Sequence, residues 1–165
     1  MFGTFLSRPA WVSWASMSQS RNIPPLSSTT KDLLVLLRER ILLFDGAMGT
    51  SVQALHLTAE DFGGPQYDGC NEYLALIRPQ LIADIHEDFF KAGSDIIETD
   101  TFGGTPIVLA EFGLQDQALA INRAAAQVAK DLARRYTTPA KPRFVAGSMG
   151  PTTKLPSLGH IGFKE

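Results

Sequence analysis

The stretch Ile41-Leu42-Leu43-Phe44-Asp45-Gly46-Ala47-Met48-Gly49-Thr50-Ser51-Val52 decides how the rest of the chain is read. Its first four residues form a short apolar run with the length and bulk of a buried strand. The run stops at Asp45-Gly46, a turn pair, and Gly49 keeps the backbone permissive just beyond it. An acid where a buried strand ends is unfavourable unless something pairs with it. The position is therefore either a plain βα turn in which Asp45 caps the next segment, or the edge of a binding site.

The flanking sequence supplies the other elements of an alternating fold. Thr29-Thr30-Lys31-Asp32 is a capping pattern ahead of Leu33 to Leu37, which predicts a helix over about 31–40. Residues 51–73 read as a long ordered loop with one helical turn, and Phe62, Tyr67 and Tyr73 argue that it is packed. Pro79 to Ala92 is the clearest helix, opened by proline and closed by Gly93, with Leu81, Ile82, Ile85, Phe89 and Phe90 on one face. His86 lies beside that face. Its structural reading outweighs a ligand role.

Ser94 to Thr99 is the second strand, ending in Glu98-Thr99-Asp100-Thr101-Phe102-Gly103-Gly104. Thr105-Pro106 opens a short helix that Gly113 ends. A longer helix spans about 116–136, with Leu119, Ile121, Ala125, Val128 and Leu132 expected inward. Phe144-Val145-Ala146 is the third strand. It runs into Gly147-Ser148-Met149-Gly150-Pro151-Thr152-Thr153, a loop rich in backbone donors that could cradle a phosphate or a carboxylate, although a plain turn is the commoner explanation.

Composition bounds the function classes. The 165 residues are 44% hydrophobic and 19% charged, with a net charge of −2, which suits a soluble globular domain and gives no pull towards nucleic acid or an anionic membrane. No apolar run approaches a membrane span. The single cysteine, Cys70, excludes an internal disulfide and suits a reducing compartment, so a cytoplasmic location is expected. A lone cysteine is most often a small buried hydrophobe. His56, His86 and His160 have no ligand-like spacing, and no complete zinc, Walker or EF-hand pattern is present, so no metal site is expected in this chain. Residues 1–30 contain Arg8 and Arg21 but no acid, with many serines, Trp11, Trp14 and Pro24-Pro25. They read as a leader: a transit peptide or, preferred, a start-site extension ahead of Met17. Residues 31–165 form the domain.

Three strands alternating with helices, each connection long enough for a crossover, give an α/β fold with parallel strands. In such folds ligands bind outside the carboxyl ends of the strands. Asp45, Glu98, Asp100, Gly147 and Ser148 all fall there. Carboxylates beside backbone donors suit a zwitterion, with the acids taking an ammonium and the amides a carboxylate, so an amino-acid substrate is expected. The pattern fits either a compact three-unit domain or the front of an eight-unit barrel.

Four ordered motifs decide between these. FDGAMGTS (Phe44 to Ser51), GCNEYL (Gly69 to Leu74), SDIIETDTFGGTPIVLAEFGL (Ser94 to Leu114) and VAGSMGPTTKLPS (Val145 to Ser157) resemble the homocysteine-binding domain of homocysteine S-methyltransferases, nearest to the cobalamin-dependent methionine synthase branch. The resemblance runs from about Thr30 to the end of the chain. It implies the first three βα units of a truncated (β/α)8 TIM-type barrel and methyl transfer to the homocysteine thiol in methionine biosynthesis. It implies that Asp45-Gly46 holds the amino-acid end of homocysteine, with Ala47 and Met48 also binding the substrate, that Glu98, Thr99, Asp100, Thr101 and Phe102 line the same pocket, and that Gly147 and Ser148 match the third strand end. Where the family usually has Asn, this chain has Asp100.

Family chemistry needs zinc, which binds the homocysteine sulfur and favours its thiolate. The family's three zinc cysteines are not matched here, and Cys70 falls in a motif that is not a ligand. Cobalamin and methyltetrahydrofolate would act through modules outside the resemblance. Expected partners are homocysteine, the rest of the barrel and those modules. A sister enzyme using betaine or S-methylmethionine as donor, and a non-catalytic amino-acid-binding half-barrel, remain as alternatives. The chain alone is expected to be marginally stable and catalytically silent, with an unpaired edge on its third strand and uncovered apolar surface.

Overall fold

The computed structural model describes residues 28–154 and 159–160. The leader residues before Ser28, and Leu155 to Leu158 and Ile161 to Glu165 at the other end, lie outside them. Six helices and two short strands are described: α1 (Ser28–Glu39), α2 (Met48–Ala54), α3 (Asn71–Ile77), α4 (Pro79–Ala92), β1 (Ile96–Glu98), α5 (Pro106–Leu109), α6 (Ala118–Tyr136) and β2 (Phe144–Ala146). The fold is α/β. β1 and β2 pair in parallel, with Ile96 opposite Phe144 and Glu98 opposite Ala146.

The apolar run Ile41 to Phe44 takes the third parallel position but departs from the buried strand expected of it. It forms one bridge, Phe44 to Ile96, and its register is held by Asp95 and Ile96 donating to the Leu43 carbonyl and by Asp45 donating to the Ile96 carbonyl. Only Leu42 is buried, whereas Ile41 is 84% exposed and Leu43 and Phe44 more than half exposed. The physical reason is its single neighbour. Leu42 packs with Ile96 and Phe144 under Leu33 and Leu36 of α1, and nothing among the described residues covers the other side.

The stretch read as a loop is more helical than its glycines suggested. α2 begins one turn earlier, across Gly49, and a 3₁₀ turn at Pro65–Tyr67 leads into α3. Burial offsets the weak helix propensity there. Val52, Phe62, Leu74 and Ala75 join Ile82 and Ile85 of α4 and Ala125 of α6 in one core cluster. The α4 boundaries match the sequence signals: Pro79 stands in the first turn, and Gly93 adopts φ 115°, where a side chain would be strained. α6 buries Ala118, Ile121, Ala125, Ala129, Leu132 and Ala133. Leu119, expected inward, is 72% exposed, because it lies a quarter turn off that 3–4 spaced stripe.

Two arginines tie strand starts to helix ends. Arg143, at the entry to β2, donates to the carbonyls of Ser94 and Phe90 and stacks 5.2 Å from the Phe90 ring centroid. Arg40, just past α1, makes a two-pronged contact with Asp95, Nη2 to Oδ1 at 2.8 Å and Nη1 to Oδ2 at 2.9 Å. Asp95 is buried and also accepts from the Leu43 amide at 3.0 Å. The guanidinium beside it is the main cause that brings its carboxyl down to about 2. A carboxyl with a depressed folded value contributes stability that is present above its unfolded value and lost as pH falls through the folded one. Arg40→Met is expected to cost roughly 2–3 kcal/mol at pH 7 in chemical denaturation, by stranding a buried carboxylate. That gap should narrow as pH drops from about 4 towards 2. A variant as stable as the parent at pH 7 would contradict the clamp.

Candidate functional site

A cleft of about 350 Å³ opens where the three parallel segments end. Its wall is formed by Asp45, Gly46, Ala47, Met48 and Gly49 after the first segment, Asn71 and Glu72 at the start of α3, Glu98, Thr99, Asp100 and Phe102 after β1, and Ser148 after β2. Nine of the eleven residues expected at the site are therefore brought together. The other two are not in the wall. Thr101 is buried behind it, its hydroxyl donating to the Ser148 carbonyl at 2.7 Å and sharing a 2.7 Å hydrogen bond with the Thr99 hydroxyl. Gly147 is exposed and carries the chain past the cleft to Ser148.

Hydrogen bonds between strand ends hold the wall together. Asp45 Oδ1 accepts from the Glu98 amide at 2.9 Å, so the first acid is locked to the end of β1. Ser148 bridges β1 and β2, its amide donating to Thr99 Oγ1 at 3.0 Å and its hydroxyl to Glu98 Oε2 at 3.2 Å. The Gly150 amide donates to the Phe102 carbonyl at 2.9 Å. A Cβ at Gly150 would stand 2.5 Å from that oxygen, so the close approach of the two loops needs glycine there. Ala47 holds a left-handed backbone, φ 53°, a conformation that costs a non-glycine residue about 1 kcal/mol. It turns the chain from the first segment into α2.

Glu72, Asn71 and Gly49 line the cleft but were not among the residues expected there, Gly49 reading in the sequence only as a permissive backbone position. The signal was present: Asn71-Glu72 sits inside the GCNEYL motif, and Gly49 inside FDGAMGTS. What sequence periodicity could not supply is the folding-back of α3. It brings Glu72 Oε1 to 2.6 Å from the Gly103 amide, beside Asp100.

The electrostatics of the cleft are set by that approach. Asp45, Glu72, Glu98 and Asp100 all line the cleft, and among the described residues no lysine, arginine or histidine does. Asp100 is buried and its Oδ2 has no hydrogen-bond partner among the described residues. Burial first, then the charge of Glu72, pushes its carboxyl up to about 7. Near neutral pH a substantial share of it is therefore the carboxylic acid, able to donate one hydrogen bond and accept another as an amide side chain would. Cys70, one residue before α3, packs with Leu109, Leu114 and Ile121, and burial pushes its thiol up to about 11. It behaves as the small buried hydrophobe expected. The described residues contain no group of three histidine, cysteine or acidic side chains able to hold a metal ion, and a thiol kept protonated in an apolar cluster does not fit zinc. No described helix is long and apolar enough to cross a membrane.

A buried acid whose folded value is raised binds a proton that the unfolded chain has released. Its burial therefore destabilises increasingly as pH climbs from the unfolded range towards 7. Asp100→Asn removes that proton linkage. Its thermal midpoint is expected to exceed the parent's at pH 8 by several degrees and to match it near pH 4. An equal gain at both pH values, or none at pH 8, would contradict the assignment.

Comparison with known proteins identifies the family. The homocysteine S-methyltransferase family model matches residues 42–165. The chain is 42% identical over 133 residues to a methionine synthase of Mycobacterium leprae (strain TN), covering 81% of this chain and 11% of that protein. It is 43% identical over 132 residues to one of Mycobacterium tuberculosis (strain ATCC 25618 / H37Rv), covering 80% of this chain and 11% of that protein. The chain thus spans about a tenth of the length of these curated relatives. Among solved structures, the metallated form of the homocysteine methyltransferase MmuM from Escherichia coli superposes with a TM-score of 0.58 at 28% identity, over 72% of this chain and 41% of that one. Its oxidized form gives 0.59 at 30% identity, over 72% and 40%. With three-quarters of its length matched by the family model and its strand-end cleft in the same region, the chain belongs to the homocysteine S-methyltransferase family.

Proposed function

We propose that this chain forms the amino-acid-holding part of the homocysteine pocket of a homocysteine S-methyltransferase of the methionine synthase type, an enzyme that transfers a methyl group to the homocysteine sulfur. One observation carries the reading: a small-molecule-sized cleft at the carboxyl ends of parallel segments, lined among the described residues by four carboxyl groups and no basic side chain. Such a wall draws a cation. A substrate ammonium group is such a cation, held by charge-assisted hydrogen bonds to carboxylates. Asp45 and Glu98 are its acceptors. Asp100, its carboxyl pushed up to about 7 and so only partly charged near neutral pH, lowers the negative charge the ammonium must balance and, when protonated, offers a hydrogen bond of its own.

This chain's share of the chemistry is binding and orientation. Zinc, which supplies thiolate activation in the family, finds no ligand set among the described residues. On this reading its cysteines, and the cobalamin and methyltetrahydrofolate modules, belong to the parts of the relatives outside the 11% that the chain spans. The three parallel segments are then the first three βα units of a (β/α)8 barrel in a cytoplasmic enzyme. Three observations support that. Spatial order matches chain order, from the Phe44 bridge through β1 to β2. The 41% coverage of the solved relative is close to three-eighths of a barrel. Ile41, Leu43, Phe44 and Val145 expose apolar surface that further units would cover.

Titration calorimetry of the 165-residue chain with L-homocysteine and with 4-mercaptobutanoate, which lacks the amino group, tests the reading. Homocysteine is expected to bind at least about tenfold more tightly, the equivalent of losing one charge-assisted contact. Equal binding of the two, or none of either, would overturn it.

A further inference from the structure

The imidazole of His86 lies directly behind the cleft without lining it. It projects from the middle of α4 and is completely buried. Its Nδ1 stands 3.6 Å from Asp45 Oδ2, and the Asp45 side chain is itself only 4% exposed. Neither ring nitrogen has a hydrogen-bond partner among the described residues. Buried polar atoms are nearly always paired, and an orphaned one costs roughly 1–3 kcal/mol. A histidine needed only to fill space at this point of the helix would be better replaced by an apolar ring. The acceptor that Nδ1 approaches is the carboxylate that lines the cleft, and a shift of about 0.6 Å would bring the pair within ordinary hydrogen-bonding range. Functional hydrogen bonds are often long before the ligand arrives and tighten on binding.

We propose that His86 is a positioning residue for Asp45: its Nδ1–H donates to Oδ2 while the Glu98 amide holds Oδ1, so that the carboxylate plane is fixed and its remaining lone pairs face the cleft. The inference rests on the proposed homocysteine pocket and deepens it by naming what orients the ammonium acceptor. A carboxylate has about four acceptor directions, so two internal donors leave two for a ligand. Anchoring from both sides also links three elements at one point: the end of the first segment, the end of β1, and α4. Held this way, Asp45 meets the ligand already oriented, which spares the ordering cost that weakens binding by free side chains.

The test compares His86→Phe, which keeps a ring but no donor, with His86→Asn, whose amide nitrogen occupies the position of Nδ1, and His86→Gln, whose amide nitrogen falls nearer Nε2. Homocysteine affinity by calorimetry is expected to drop about tenfold or more in the Phe and Gln variants and to return to within about threefold of the parent in the Asn variant. Parent-like affinity in the Phe variant, or equal losses in all three, would overturn the proposal. The ring-nitrogen NMR spectrum of the ¹⁵N-labelled parent decides the matter if the variants do not fold. The proton is expected on Nδ1, with a resonance that moves on Asp45→Asn. A proton on Nε2 with an Nδ1 signal indifferent to Asp45→Asn would contradict it. Should the parent itself bind no homocysteine, the substrate reading falls, while the nitrogen spectrum still reports whether His86 and Asp45 are paired.

Discussion

The hydrogen bond from the Glu98 amide to the Asp45 carboxylate is the contact on which the site depends. A parallel ladder sets neighbouring strands in register but does not by itself align the loops beyond their ends. Here the acid that ends one segment accepts from the backbone that ends the next, so two strand ends become a single surface. Ser148 repeats the device one position along, with its amide on Thr99 and its hydroxyl on Glu98. The cleft is thus made of strand ends joined through side chains, and its carboxyl groups converge because the backbone places them.

The opposite end of the sheet is secured by a different kind of interaction. Asp95 lies buried at the entry to β1 and is satisfied by the Arg40 guanidinium and the Leu43 amide together. A buried carboxylate is tolerable only with such partners. The two acids flanking β1 therefore have opposite environments. Asp95 is kept ionised by a guanidinium. Asp100 has no cation beside it, has Glu72 nearby, and is driven towards its neutral form. One strand separates a structural anion from a carboxyl that can act as a hydrogen-bond donor in the cleft.

Much of this was legible in the sequence. Pro79 and Gly93 bounded α4, because helix punctuation depends on local backbone geometry. Asp45-Gly46 and the polar ends after Glu98 and Ala146 marked the cleft, because strand ends in α/β folds are where sites lie. What escaped depends on long-range packing. Gly49 concealed α2, whose stability comes from burying Val52. Glu72 lies 31 residues from the Gly103 amide it meets, a pairing no local pattern encodes. Leu43 and Phe44 have the composition of buried residues, but exposure depends on neighbours, and the first segment has one. Leu119 lies off the stripe of α6 that packs, and the sequence misplaces it because that stripe is built largely from alanines, which carry a weak periodicity signal.

The central claim is that the strand-end carboxylates hold the ammonium of an amino acid. A co-crystal structure of this chain with L-homocysteine tests it most directly. The account predicts the amino nitrogen within about 3.2 Å of a carboxylate oxygen of Asp45 or Glu98, with the thiol directed away from them. A homocysteine bound outside the cleft, or lying in it with its amino group turned away from both acids, would contradict the account.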